Sequence, residues 1–236
     1  MTVKIGTLKE SSLHADLKAH YSQADDRVEV EIDGYWVDIL HHDSSDCEDR
    51  IVEIQTGNFS ALKSKLQDLL KSYRVMVVYP IAQEKYIQRV KQDSSGKEIR
   101  LSRRKSPKRG RAEEVFGELV YLPELADHPH FSLKIALIRE IQIWRDDGRG
   151  SWRRRGVTIL DRRLESILGE RFFCSQADYL QFIPDVLSEP FTVKDLASVL
   201  NLPTHLAGKM VYSLRKMDTI RFVGKQGNAH LYVRYV

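Results

Sequence analysis

Val28-Glu29-Val30-Glu31-Ile32-Asp33-Gly34-Tyr35-Trp36-Val37-Asp38-Ile39-Leu40 alternates apolar and polar side chains on both sides of an Asp-Gly pair. Alternation at period two marks a half-buried strand. Asp-Gly between two such runs predicts a two-residue type I′ hairpin, because both turn positions need φ above zero. With Asp33 and Gly34 as the loop, Ile32 faces Tyr35, Glu31 faces Trp36, Val30 faces Val37 and Glu29 faces Asp38. Directly opposed residues share a face. Val28, Val30, Ile32, Tyr35, Val37 and Ile39 then form an apolar face, and Glu29, Glu31 and Asp38 fall together on the other.

Beyond this hairpin, residues 41–50 are polar and acidic and read as a loop. Ile51-Val52-Glu53-Ile54-Gln55 reads as a third strand, with Glu53 and Gln55 on one face. Asn58 is a candidate helix N-cap, in competition with Ser60. Phe59, Leu62, Leu66 and Leu69 continue as a helical stripe, with Lys63 and Lys65 on either side of it. Val75-Met76-Val77-Val78-Tyr79 is nearly continuous apolar sequence, which suits a central strand covered on both faces. Strand, helix, strand at this spacing predicts a parallel pair.

Strand, turn, strand, strand, helix, strand, with Asp38 near the end of the second strand and Glu53-Ile54-Gln55 on the third, resembles the core of the PD-(D/E)XK, or restriction-endonuclease-like, nuclease superfamily. The resemblance implies an α/β fold with a mixed sheet flanked by helices. It also implies a metal-dependent phosphodiester hydrolase in which Asp38 and Glu53 hold Mg²⁺ or Mn²⁺. The main-chain carbonyl between Glu53 and Gln55 joins them, and a helix glutamate, Glu10 or else Glu29, can complete the set. Gln55 stands where the family has lysine. A glutamine can position water but supplies no positive charge. Members in which the lysine has moved to the following helix point to Lys63, beside Leu62 and Leu66, in preference to Lys65. The rival expectation is a nuclease fold that has lost catalysis through Gln55 and serves as a DNA-binding regulator or complex subunit.

The rest of the chain is read more coarsely. Leu8, Leu13, Leu17 and Tyr21 predict an amphipathic helix over 8–21. Lys85 to Val90 and Glu98 to Leu101 pair across Asp93-Ser94-Ser95-Gly96, Glu113 to Tyr121 is a short helix, and Phe131 to Arg145 has strand character. Thr192 and Asp195 form an approximate capping box on a helix that ends near Leu200. A second helix follows over 204–217, then a hairpin about Lys225-Gln226-Gly227-Asn228. Helix, turn, helix, hairpin resembles a winged helix. The expected organisation is a nuclease-like domain over 1–185 with basic insertions, and a winged helix over 188–236. The whole layout resembles that of certain prokaryotic proteins.

Charge sharpens the functional expectation. The net charge is +4, yet residues 1–60 hold 13 acids against 5 bases. An acidic patch suits metal, and the basic remainder suits a polyanion. Residues 97–111 hold eight bases and one acid, among them Arg103, Arg104, Lys105, Lys108 and Arg109. Arg149, Arg153 and Arg154 surround Trp152, a pairing of phosphate forks with a ring that can stack on an unpaired base. Lys209, Arg215 and Lys216 lie on the second helix of the C-terminal module and Lys225 at its hairpin. These residues are the expected nucleic-acid contacts, with DNA the expected substrate, alone, as a homodimer or within a defence or repair complex. A protein-binding role for the winged helix is the alternative.

No run of about 18 apolar residues and no secretory pattern is visible, so a cytoplasmic protein without a membrane span is expected. Two cysteines, Cys47 and Cys174, fit a reducing compartment. His41-His42 near Asp43 and Asp46 lacks the spacing of a zinc site. No P-loop, G-x-S-x-G or dinucleotide fingerprint is present.

Overall fold

The computed structural model describes residues 11–43, 48–92, 98–125, 127–149 and 156–235. It is an α/β protein built on a mixed seven-stranded sheet flanked by helices. The strands are β1 (Arg27–Ile32), β2 (Tyr35–Asp43), β3 (Glu48–Ile54), β4 (Arg74–Gln92), β5 (Glu98–Lys105), β6 (Phe131–Asp146) and β7 (Val157–Phe173), in the order β1-β2-β3-β4-β6-β7, with β5 paired to β4. The helices α1 (Ser12–Tyr21), α2 (Lys63–Leu69), α3 (Phe116–Leu119), α4 (Gln176–Tyr179), α5 (Val193–Leu200) and α6 (Thr204–Lys216) are short, and β8 (Ile220–Gln226) and β9 (Ala229–Arg234) form a separate hairpin.

The chain divides into two compact units. One holds residues 1–22, 80–111 and 136–170, and the other holds 23–79, 112–135 and 171–236. The division runs through β4, β6 and β7.

In the second unit the β1–β2 hairpin follows its turn chemistry. Asp33 and Gly34 sit at φ 48° and 81°, and Ile32 pairs with Tyr35, Glu31 with Trp36 and Val30 with Val37. The one interruption is Glu29, whose φ of 51° takes it out of regular strand geometry opposite Asp38. Val37 and Ile39 are buried as the alternation requires, whereas Val28, on the edge strand, is half exposed. β2 pairs antiparallel with β3, and β3 pairs parallel with β4 through Arg50–Arg74 to Ile54–Val78. Phe59, Leu62, Leu66 and Leu69 are all buried, so the stripe packs as its spacing implies.

The first turn of that helix is a 3-10 turn, Phe59–Leu62, and Asn58 adopts a left-handed conformation without capping it. The open Phe59 N–H donates instead to Glu118 Oε2 at 2.9 Å. Thr192 and Asp195 form the expected capping box of α5, with hydrogen bonds of 2.8–3.2 Å. The main chains of Phe191 and Tyr232 exchange hydrogen bonds, joining the residue before α5 to β9.

In the first unit α1 begins at Ser12, and residues 8–10 of the expected helix lie outside the described residues. Ser11 caps it, and Leu13 and Leu17 are buried. β4 is one 19-residue strand, and β5 continues to Lys105 rather than stopping at Leu101. β7, a 17-residue strand, has no counterpart in the sequence reading.

Candidate active site

Alternation along β2 places Trp36, Asp38 and Leu40 on one face of the sheet, and the β2–β3 register, continued one residue beyond the Ile39–Val52 pair, brings Asp38 beside Glu53. The two carboxylates are therefore neighbours by strand pairing alone, within about 5.5 Å between Cβ atoms. Asp38 Oδ2 accepts the Ile54 N–H at 2.8 Å, and Glu53 Oε1 accepts the Asp38 N–H at 3.4 Å. Glu53 is only 4% exposed.

The third member of the cluster comes from α2. Lys65 Nζ donates to Glu53 Oε2 at 2.7 Å and to the Trp36 carbonyl at 2.5 Å. Lys63, the expected helix lysine, instead points toward Glu124, 4.0 Å away on the surface. At about 100° per residue the two lysines flank the buried Leu62–Leu66–Leu69 stripe on opposite sides, and Glu53 lies on the Lys65 side.

Burial pushes the Glu53 carboxyl up to about 7, Lys65 opposes that rise, and the Asp38 charge adds to it. Two carboxylate oxygen donors on one face are the hard-ligand set that Mg²⁺ uses, with water and substrate phosphate completing its octahedron. Among the described residues no group of three or more His, Cys, Asp or Glu side chains is placed to hold a metal. The donor set therefore fits a cation held by two carboxylates, not one caged by protein.

Gln55 does not join the cluster. β3 ends at Ile54, the Gln55 N–H donates to the Val78 carbonyl, and Gln55 Nε2 donates to the Asn58 carbonyl at 3.1 Å. Its side chain closes the β3–α2 turn. Glu10 lies outside the described residues. His41 Nδ1 lies 2.6 Å from Asp26 Oδ1 and His42 Nδ1 lies 2.6 Å from Asp49 Oδ1, so each histidine has a carboxylate of its own.

The basic residues divide by what they touch. Arg103 and Lys105 lie on one face of β5 and are engaged, by Glu165 and Glu84 respectively, and Arg103 also sits over the Tyr86 ring at 4.4 Å. Arg139 bonds the same Glu84 at 2.7 Å. These bases hold a surface network together, which is not the free phosphate-binding row expected from the sequence. Arg104, Lys108 and Arg109 are exposed. Arg149 is exposed, and its N–H donates to Asp147 in the turn after β6. Trp152, Arg153 and Arg154 lie outside the described residues.

On α6, Lys209 is turned inward and donates to the Gly117 carbonyl at 3.2 Å, so it is not displayed to a partner as expected. Arg215, Lys216 and Lys225 are exposed. The sequence reading also missed Glu140, which is fully buried and takes hydrogen bonds from Gln142 Nε2 at 2.7 Å and Arg162 at 2.6 Å. The Cys174 thiol is free and exposed, and Cys47 lies outside the described residues.

Comparison with known proteins places the chain in a lineage without assigning it a chemistry. The profile of a family described as "Domain of unknown function (DUF8091)" matches residues 11–174. An uncharacterized protein of Treponema pallidum (strain Nichols) is 36% identical over 193 residues, covering 82% of this chain and 73% of its own. No solved structure matches. No helix among the described residues is long and apolar enough to cross a membrane.

Proposed function

The chain belongs to the family of domains of unknown function DUF8091, and for it we propose a divalent-metal-dependent nuclease acting on nucleic acid, with DNA the leading substrate, in defence or repair. The observation that carries this reading is the convergence of Asp38, Glu53 and Lys65 around a parallel strand–helix–strand crossover. That arrangement is what a restriction-endonuclease-like core with its lysine moved to the helix would need.

Asp38 and Glu53 would hold Mg²⁺ or Mn²⁺, which supplies Lewis-acid polarisation of a phosphate oxygen when bound. The protein's own groups do the rest. Lys65 has three N–H donors. Two are used on Glu53 and Trp36, and the third is left to orient a water or a phosphate oxygen. Its charge would then stabilise the charge that develops on a departing oxygen.

A winged helix over 188–236 is part of the same proposal. The order α5, turn, α6, β8, β9 and the Phe191–Tyr232 bridge support that fold. Arg215, Lys216 and Lys225 are the residues it would offer to phosphate.

A second reading, a binding module without catalysis, draws on the double engagement of Lys65 and the use of Gln55 to close a turn. Nicking of supercoiled plasmid in Mg²⁺ or Mn²⁺ separates the two. The nuclease reading expects nicking by the wild type, and none by Asp38→Ala or Glu53→Ala despite retained nucleic-acid binding. Nucleic-acid binding without nicking by the wild type establishes the second reading. Equal nicking by wild type and double variant overturns the site.

A further inference from the structure

We propose that Trp36 is a stacking platform for an unpaired base, so that the Asp38–Glu53 site works on single-stranded or frayed nucleic acid. The proposal rests on the nuclease reading and names its substrate class. Trp36 is 58% exposed, more than any other aromatic residue described. A tryptophan on a half-buried sheet normally turns inward, because its ring is the largest apolar surface available for burial. Here the alternation of β2 holds it on the solvent side of the face that carries Asp38.

Its position relative to the carboxylates is fixed. Trp36 and Asp38 are two residues apart on one strand, about 7 Å along the sheet. The Trp36 carbonyl shares Lys65 with Glu53, which ties the indole's backbone to the carboxylate pair. A base resting on this ring leaves an adjoining phosphate within reach of Asp38 and Glu53.

Stacking selects for a single strand. A duplex keeps its bases stacked within itself and offers this exposed ring no open face. A single strand gains stacking on the ring, which every base can supply.

The test is fluorescence anisotropy of a labelled oligothymidylate of about 12 nucleotides, and of a duplex of the same length, with the full chain in EDTA. Stacking is worth roughly 1–3 kcal/mol per base. Trp36→Ala is therefore expected to weaken single-strand binding about 10-fold, with duplex binding unchanged and Trp36→Phe retaining most of the affinity. Equal single-strand affinity for wild type and Trp36→Ala overturns the proposal, as does an equal loss on both substrates. A wild-type dimer that Trp36→Ala dissolves, seen by sedimentation, also overturns it and assigns the ring to a second copy of the chain. Trp36-dependent binding without plasmid nicking sinks the nuclease reading and leaves the stacking site standing. Nicking with Trp36-independent binding does the reverse.

Discussion

Glu53 and Glu140 are both glutamates removed from water on strands of the same sheet, but their surroundings differ. Glu140 is wholly buried, with Arg162 on one oxygen, Gln142 on the other and Lys85 4.0 Å away. Two cations and an amide answer one carboxylate. Glu53 has Lys65 on one oxygen and another carboxylate, Asp38, as its strand neighbour. A buried charge is tolerated where partners satisfy it. Glu140 is satisfied within the protein and reads as structure. Glu53 is buried beside a second carboxylate, and both raise its carboxyl against the pull of Lys65, which is why the functional reading is attached to it.

The largest expected effect comes from breaking the satisfied cluster. Glu140→Ala leaves Arg162 and Lys85 beside an empty partner position, and losing one side of a buried pair costs about 3–5 kcal/mol. Urea denaturation should show that loss at every pH from 5 to 8. A cost under about 1 kcal/mol would mean that the two glutamates are not so different.

Glu53→Gln should move the other way. The folded-state Glu53 carboxyl is raised from 4.5 to about 7, so between those values the native state binds more protons than the unfolded chain. Wild-type stability therefore falls as pH rises through this window, by roughly 3 kcal/mol in all. Glutamine resembles the protonated acid and carries no such penalty. The variant should match the wild type near pH 4.5 and exceed it at pH 8, as read by paired urea titrations.

Lys65 and Lys63 sharpen the contrast within one helix. Lys65→Met should reduce nicking about 100-fold or more, whereas Lys63→Met should leave it within about twofold of the wild type. Loss of activity in Lys63→Met alone would return the catalytic lysine to the helix position first expected.

The smallest effects concern the basic residues. Arg215→Ala, Lys216→Ala and Lys225→Ala should each reduce the salt slope of duplex binding by about 0.9. Lys209→Met should leave that slope unchanged and lower the melting temperature, because Lys209 is bonded to Gly117. Arg103→Ala should act like Lys209→Met, and Arg104→Ala like Arg215→Ala.

What was legible in the sequence was what local chemistry dictates. Asp33-Gly34 sets its own turn and, through it, the register that fixes the face of Asp38. The Thr192–Asp195 box is four residues reading themselves. The parallel crossover followed from connection length. What failed depended on phase or on distant partners. Lys63 and Lys65 flank the stripe on opposite sides, and adjacency to Leu62 and Leu66, which favours Lys63, does not say which side Glu53 occupies. Gln55 was aligned with Glu53 because nothing in the tripeptide says that the strand stops at Ile54. β7 stayed hidden because charged residues recur along it, Asp161, Arg162, Arg163, Glu165 and Glu170, blurring its alternation. Arg103 and Lys105 looked available because Glu84 and Glu165 are remote in sequence.

Binding of Mn²⁺ to the metal-free chain at pH 7.5, followed by electron paramagnetic resonance, tests the proposed metal site at Asp38 and Glu53 most directly. One ion should bind the wild type, and Asp38→Asn and Glu53→Gln should each abolish that site while Glu140→Gln, where it folds, retains it. Identical Mn²⁺ binding by wild type and both site variants would contradict the account.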